Sequence, residues 1–147
     1  MNPPTTELRP VAGVVLLRDD NAALLQLRDD KPDIPAPGQW VFPGGHCDSG
    51  ESRHDCARRE FREETGYDCP DLKPLTEFSY VCPDTGAHLS LSFWKSRYDG
   101  TSPLQCFEGQ EVRFMSLAEA ARHHIPSYLL EVWNRALAEE NSALRRD

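Results

Sequence analysis

Residues 45–67 read GHCDSGESRHDCARREFREETGY, and their core is Arg59-Glu60-Phe61-Arg62-Glu63-Glu64-Thr65-Gly66. Glu60, Glu63 and Glu64 stand at spacings i, i+3 and i+4, which share one face of a helix with 3.6 residues per turn. Three like charges crowded on one face repel and cost stability. A cation between them removes that cost, and carboxylate-rich sites suit hard divalent ions such as Mg²⁺ or Mn²⁺. The segment is therefore expected to hold metal on a helix in the service of phosphate chemistry.

The helix carries its own punctuation. Ser52 can cap its start, with Asp55 at the capping-box position, and Gly66 stands where a C-terminal glycine belongs. Ala57 and Phe61, with Cys56 nearby, supply an apolar stripe for the core. That stripe and the carboxylates are expected to occupy adjoining sectors, pinning the helix while its acids reach a cleft.

Outward from this helix the chain alternates in pattern. Residues 11–18 (VAGVVLLR) and 22–28 (AALLQLR) read as a strand pair around Asp19-Asp20-Asn21. Residues 29–39, with three prolines and a glycine, read as a loop. Trp40-Val41-Phe42 is a short strand running into a Pro43-Gly44-Gly45 turn. Residues 72–82 and 88–97 read as paired strands, the second with Leu89, Leu91 and Phe93 on one face. Residues 99–110 are loop and 111–115 a short strand. Ser116 with Glu119 opens a helix over 117–123, and Tyr128, Leu129, Val132, Trp133 and Leu137 give helical periodicity to about residue 140. Residues 1–10 and 141–147 are expected to be loosely ordered. No internal repeat or second domain is visible, so residues 1–147 read as one α/β domain, a mixed sheet packed between helices.

Composition narrows the partners. The 147 residues hold 24 acidic and 16 basic side chains, a net charge of −8. That balance argues against a nucleic acid polymer, whose phosphate backbone is held by clustered Lys and Arg. It leaves room for a small nucleotide whose charge is screened by bound metal. The five cysteines are odd in number and form no Cys-x-x-Cys pair. A disulfide framework or Cys-rich zinc site is not expected, and reduced thiols in a cytoplasmic enzyme fit best. MNPPTTELRP has no apolar core and is not read as a signal peptide. No apolar run approaches the roughly 20 residues a membrane crossing needs. The state is expected to be monomer or homodimer.

Gly45, Glu51, Arg59, Glu60, Phe61, Glu63, Glu64, Gly66 and Tyr67 match a known pattern, G-x5-E-x7-R-E-U-x-E-E-x-G-U, where U is bulky and apolar. The chain therefore resembles the Nudix hydrolases. Tyr67 departs mildly, since aliphatic residues are usual there. Gln39-Trp40-Val41-Phe42-Pro43-Gly44-Gly45 resembles the W-x-x-P-G-G lead-in of many members. The resemblance implies an α/β/α sandwich and Mg²⁺- or Mn²⁺-dependent hydrolysis of a nucleoside diphosphate linked to another group. It implies metal ligation by the Gly45 carbonyl, Glu60 and Glu64. Glu63 would ligate a second ion or help activate water, and Glu51 and Arg59 would form a bracing pair. Water would attack phosphorus while metal neutralises pyrophosphate oxygens.

Outside the box the signals thin. Phe107-Glu108-Gly109-Gln110-Glu111 resembles a segment of MutT-type relatives whose Glu joins the metal site or acts as base. This points to Glu108, with Glu111 second. Arg28 ends a strand where similar proteins place an arginine near the phosphates. Trp40 and Phe42 are candidates to stack on a base, with core packing the competing role for each. The five histidines lack metal spacing, although His88 lies near a candidate cleft. Cys47 reads as a small filler, and Leu129, Trp133 and Leu137 as core or subunit contact. Ile125-Pro126-Ser127-Tyr128-Leu129 lacks the Asn that marks selection of an oxidised guanine. The leading substrate is a nucleoside triphosphate. The alternatives are a nucleotide sugar, a dinucleoside polyphosphate, or a non-catalytic module that only binds nucleotides.

Overall fold

β1, Arg9–Leu17, explains why the first apolar run has no clean alternation. Its residues are covered on both faces, as buried strands require. Val11, Val15 and Leu17 pack into one apolar cluster, and Ala12, Val14 and Leu16 into another. The computed structural model describes residues 8–69 and 71–145.

Among the described residues the other strands are β2 (Ala23–Leu27), β3 (Trp40–Val41), β4 (Gly44–His46), β5 (Lys73–Val81), β6 (His88–Arg97) and β7 (Glu111–Met115). The main path runs β3-β2-β1-β6-β5. β1 and β6 pair in parallel along their full length, from Arg9↔Leu89 to Leu17↔Arg97. All the other pairings are antiparallel, so the sheet is mixed. β1 meets β2 only at Leu17↔Ala23 and then turns along β4, while β2 takes β7 as a partner. The opening between β1 and β2 is where the functional elements gather.

Helix α1 (Arg53–Thr65) covers one face, with Cys56, Ala57 and Phe61 buried in the cluster with Ala12, Val14 and Leu16. Helices α2 (Leu117–Ala120) and α3 (Ser127–Arg145) belong to the opposite face, where Leu129, Val132, Trp133 and Ala136 enter the other cluster. The fold is thus the expected mixed sheet between helices. Among the described residues no helix is long and apolar enough to cross a membrane.

Several boundaries differ from expectation. Pro43-Gly44-Gly45 is not simply a turn. Gly44–His46 is a strand, registered Val11↔His46, Ala12↔Gly45 and Gly13↔Gly44. Its two glycines hide its β character from any propensity argument. α2 stops at Ala120, although its Ser116–Glu119 capping box forms as read. Within the two expected loose ends, Arg9 and Pro10 belong to β1, paired with β6, and α3 continues past residue 140 to Arg145. The remainder of the two expected loose ends, residues 1–7, 146 and 147, lies outside the described residues.

The two-sided core predicts a contrast in urea unfolding. Trp133→Ala, at a site with 0% exposure, should cost about 3–5 kcal/mol. Val81→Ala, at 53% exposure, should change stability by no more than about 0.5 kcal/mol.

Candidate active site and metal centre

α1 begins and ends by ordinary capping chemistry. Ser52 accepts a hydrogen bond from the Asp55 N–H at 3.0 Å. Gly66 adopts φ 77°, and its N–H donates to the Arg62 carbonyl at 2.8 Å. Between these limits Ala57, Phe61 and Glu64 fall on one stripe, all buried. Glu64 is therefore not beside the apolar stripe but within it, 3% exposed.

Across from Glu64 runs β4. The Gly44 N–H donates to a Glu64 carboxylate oxygen at 2.9 Å. A side chain at Gly44 would bring its Cβ within 2.6 Å of Gly13 Cα, and one at Gly45 would collide with the Glu60 carboxylate. Glycine is required here for close approach between backbone and helix. Glu60 and Glu64 consequently meet the backbone at Gly44 and Gly45.

Arg59 ties the same two elements together. It donates to both carboxylate oxygens of Glu51, at 2.7 and 2.9 Å, in a two-pronged pair. It also donates to Glu60 at 3.0 Å, to Glu63 at 3.1 Å and to the His46 carbonyl at 3.1 Å. The Glu51 carboxyl is pulled down to about 2 by Arg59. Glu63 shares one Arg59 nitrogen with Glu60 and, among the described residues, does not itself reach β4's glycines through a hydrogen bond. Its side chain, 51% exposed, turns to Arg59, while Glu60 and Glu64 remain against β4.

Glu108 arrives from a loop whose backbone is well tethered. Gln105 and Phe107 donate N–H bonds to the Thr65 and Glu64 carbonyls at 2.8 and 2.9 Å. Gln110 N–H donates to the Leu27 carbonyl at 2.8 Å, and Gln26 Nε2 to the Glu108 carbonyl at 2.9 Å. Gly109 has φ 79°, and a Cβ there would stand 2.6 Å from the Leu27 carbonyl oxygen. The Glu-Gly-Gln pattern is therefore a tether as well as a source of charge. Glu111 instead pairs with Arg113 on β7.

Electrostatics unite these acids. Burial, then the charges of Glu108 and Glu60, push the Glu64 carboxyl up to about 8, against the Gly44 N–H bond and the charge of Arg28. Burial also raises Glu60, helped by Glu63 and Glu108 and opposed by Arg59. A buried Glu64 and a part-buried Glu60 beside a backbone strand, with the charge of Glu108 acting on both, fit a hard cation. Among the described residues one His/Cys/Asp/Glu triad has ligand atoms all within 4.8 Å, Cys47, Glu51 and Cys56. Its sulfurs are joined to each other and its carboxylate holds Arg59, so it is not that hard-ion site. The joined Cys47 and Cys56 also overturn the expectation of wholly reduced thiols and of Cys47 as a filler. The cause is tertiary: β4 and α1 bring their Cα atoms to 5.1 Å.

A cavity of about 700 Å³ opens beside Gly44 and Gly45. Its floor is apolar, with Val11, Phe42, Leu91 and Phe93. Arg9, Arg28, His46 and His88 line it, and among the described residues no Asp or Glu does, in a chain of net charge −8. Arg28 also lines a smaller cavity of about 410 Å³ shared with Lys31 and Glu108. Phe42 is in the wall of the large cavity, whereas Trp40 is not. Trp40 is buried edge-on to His123 at 5.6 Å, with the Arg113 guanidinium 5.2 Å over its ring. Arg9 and Tyr128 are cavity residues that sequence reasoning missed. Only the pairing of β1 with β6 and the packing of α3 bring them there.

The NUDIX domain family model matches residues 7–133. The uncharacterized Nudix hydrolase YvcI of Bacillus subtilis is 37% identical over 109 residues, covering 71% of this chain and 65% of that protein. The CMP-5'-(N-acetyl-N-hydroxy-3-aminopropyl)phosphonate hydrolase of Streptomyces rubellomurinus is 31% identical over 114 residues, covering 76% of this chain and 54% of the relative. The chain thus spans between about half and just under two thirds of these curated relatives. The MutT protein from Methanosarcina mazei Go1 superposes with a TM-score of 0.78, covering 94% of this chain and 99% of that one. At 17% identity that likeness is one of fold.

The raised Glu64 carboxyl sets a pH signature. Its folded value of about 8 exceeds the ordinary glutamate value of 4.5, so its contribution is fully present below the unfolded value and lost as pH rises through the folded one. The melting temperature of the metal-free protein should fall across that window. Saturating Mg²⁺ or the Glu64→Gln change should each flatten this fall. A metal-free melting temperature that is flat with pH in the native chain would remove the electrostatic reading.

Proposed function

This chain belongs to the Nudix family, and from that premise we propose that it is a divalent-metal-dependent hydrolase. It cleaves the pyrophosphate linkage of a nucleoside triphosphate or related nucleoside diphosphate derivative. The observation that carries this reading is the buried Glu64 bound to the Gly44 N–H, with Glu60 against Gly45, where Gly44 and Gly45 also form part of the wall of the large cavity. A cavity of that volume falls within the usual range for small-molecule sites.

The Gly45 carbonyl, Glu60 and Glu64 would hold Mg²⁺ or Mn²⁺, with Glu108 closing from its loop. The cation supplies charge neutralisation at the pyrophosphate oxygens. Arg59 and Glu51 position the ligands without touching substrate. Glu63, paired to Arg59 and half in solvent, is placed to exchange that partner for a second ion. Arg28, whose charge acts on Glu64 and which lines both cavities, would bind phosphate oxygens. Phe42 would pack against the base. Water attacks phosphorus, the bridging P–O bond breaks, and the leaving phosphate departs with its oxygen. Glu108, exposed and joined to the site by its tethered loop, is the proposed acceptor of the water's proton.

One feature favours the nucleotide-sugar or dinucleoside polyphosphate alternative. Arg9 lies three residues along β1 from Ala12, the partner of Gly45. At about 3.3 Å per residue this spans roughly 10 Å. The cavity thus has a second arginine besides Arg28, suited to a second anionic group.

Glu64→Gln should lower Mg²⁺-dependent turnover by about 10²-fold or more, the order typical of losing one key electrostatic group, with the fold retained by circular dichroism. Near-normal turnover would overturn the metal assignment. A panel of nucleoside triphosphates, nucleotide sugars and dinucleoside polyphosphates, run in ¹⁸O-water with mass analysis of products, should reveal one preferred class and the attacked phosphorus. Nucleotide binding with no turnover of any class would leave a binding module in place of an enzyme.

A further inference from the structure

Nothing in the proposed hydrolysis uses sulfur, yet a sulfur pair stands at its centre. Cys69, Cys82 and Cys106 are free, and Cys47 is joined to Cys56. Cys47 follows Gly45 by two residues, directly after β4, and its N–H donates to the Pro10 carbonyl at 2.9 Å. Cys56 lies in the first turn of α1, fully buried and four residues before Glu60. Four residues are about one helical turn. The Cys56 sulfur is 3.7 Å from the Gly45 carbonyl oxygen. The link therefore joins the strand offering the Gly45 carbonyl to the helix offering Glu60 and Glu64.

We propose that Cys47 and Cys56 are a reversible dithiol/disulfide switch that sets the affinity of the adjoining divalent-cation site. The inference rests on the metal reading above and adds a control to it. Closed, the cross-link holds the Gly45 carbonyl against the helix. Open, residues 47–51 gain freedom, and cation binding must supply the ordering that the bond had supplied. The fold survives opening, because Arg59 still bridges Glu51 and the His46 carbonyl and Glu64 still accepts from Gly44. Glu51 feels the change directly, since its carboxylate lies within 4.8 Å of both sulfurs.

The chemistry balances with a low-molecular-weight disulfide, RSSR, as oxidant. Cys47 is half-buried and Cys56 fully buried, so access favours Cys47 as the attacking thiolate. It displaces one RS⁻ to form a mixed disulfide. Cys56 then attacks the Cys47 sulfur and displaces the second RS⁻. The two cysteine protons end on the two released thiols, the cysteines are oxidised by two electrons, and RSSR is reduced. A small dithiol reverses the sequence.

The test compares the native 147-residue chain equilibrated in reduced and in oxidised glutathione. Alkylation after unfolding, read by mass, should count five labels on the open form and three on the closed form, matching the three free cysteines. Mn²⁺ titration read by electron paramagnetic resonance should give a Kd at least about fivefold tighter for the closed form, the low end of ordinary coupling between linked sites. Cys47→Ser should show the weaker Kd in both buffers. Five labels in both buffers, or equal Mn²⁺ affinity in the two forms, would overturn the switch and leave the hydrolase reading standing. Absence of Mn²⁺ binding in either form would overturn the switch together with the metal assignment.

Discussion

The approach of β4 to α1 is the constraint on which the rest depends. Gly44 and Gly45 carry no Cβ because Gly13 and Glu60 occupy that space. Their absence lets the Gly44 N–H reach Glu64 and lets a carboxylate sit 3% exposed in an apolar stripe. A single hydrogen bond contributes about 0.5–1.5 kcal/mol net. Burying an unpaired carboxylate costs far more, so such a group shifts its pKa instead. The upward shift of Glu64 follows from that inequality. A positive charge beside it favours its ionised form, and hydrolysis of a pyrophosphate linkage, the proposed reaction, employs such a charge.

The opening in the sheet follows from the same approach. β1 could have continued beside β2, but after Leu17↔Ala23 it takes β4 as its partner. β2 turns to β7 and supplies Leu27 and Arg28 as anchors for the Glu108 loop. The acidic helix is thus met from two sides, by a glycine strand and by a tethered loop. The cavity beyond is lined by cations and apolar groups. Charge is segregated within a few residues, acids toward α1 and bases toward the cavity rim, despite an overall excess of acid. That segregation keeps an anionic ligand from facing uncompensated carboxylates.

Much of α1 was legible because its information is local. Ser52, Gly66 and the Glu51–Arg59 pairing act across a few turns of chain, and residue types and spacing suffice to read them. The strand identities of β1, β2, β5, β6 and β7 were legible for the same reason. What escaped depends on partners distant in sequence. Gly44–His46 is a strand only because β1 supplies its hydrogen bonds. Glu63 shares helical spacing with Glu60 and Glu64, but its side chain is half in solvent and pairs with Arg59, which also holds Glu60. Trp40 and Phe42 lie two residues apart, yet only Phe42 meets the cavity, since Trp40 is held by His123 and Arg113. The Cys47–Cys56 link was invisible to cysteine counting, which weighs number and motif but not the meeting of β4 with α1.

Three kinds of tie now hold that meeting, and they differ in what changes them. The Gly44–Glu64 hydrogen bond is buried and responds to protonation. The Arg59 network is 23% exposed at the arginine side chain, so salt screens part of its Coulomb energy. Its five hydrogen bonds therefore act more through direction than through strength, fixing Glu51, Glu60 and Glu63 by the planar fork of one guanidinium. The sulfur link responds to thiol poise. A backbone carbonyl held by three mechanically similar but chemically distinct ties can be adjusted through one while the others preserve the fold. The proposed metal site is for that reason the part of this protein most open to control without unfolding.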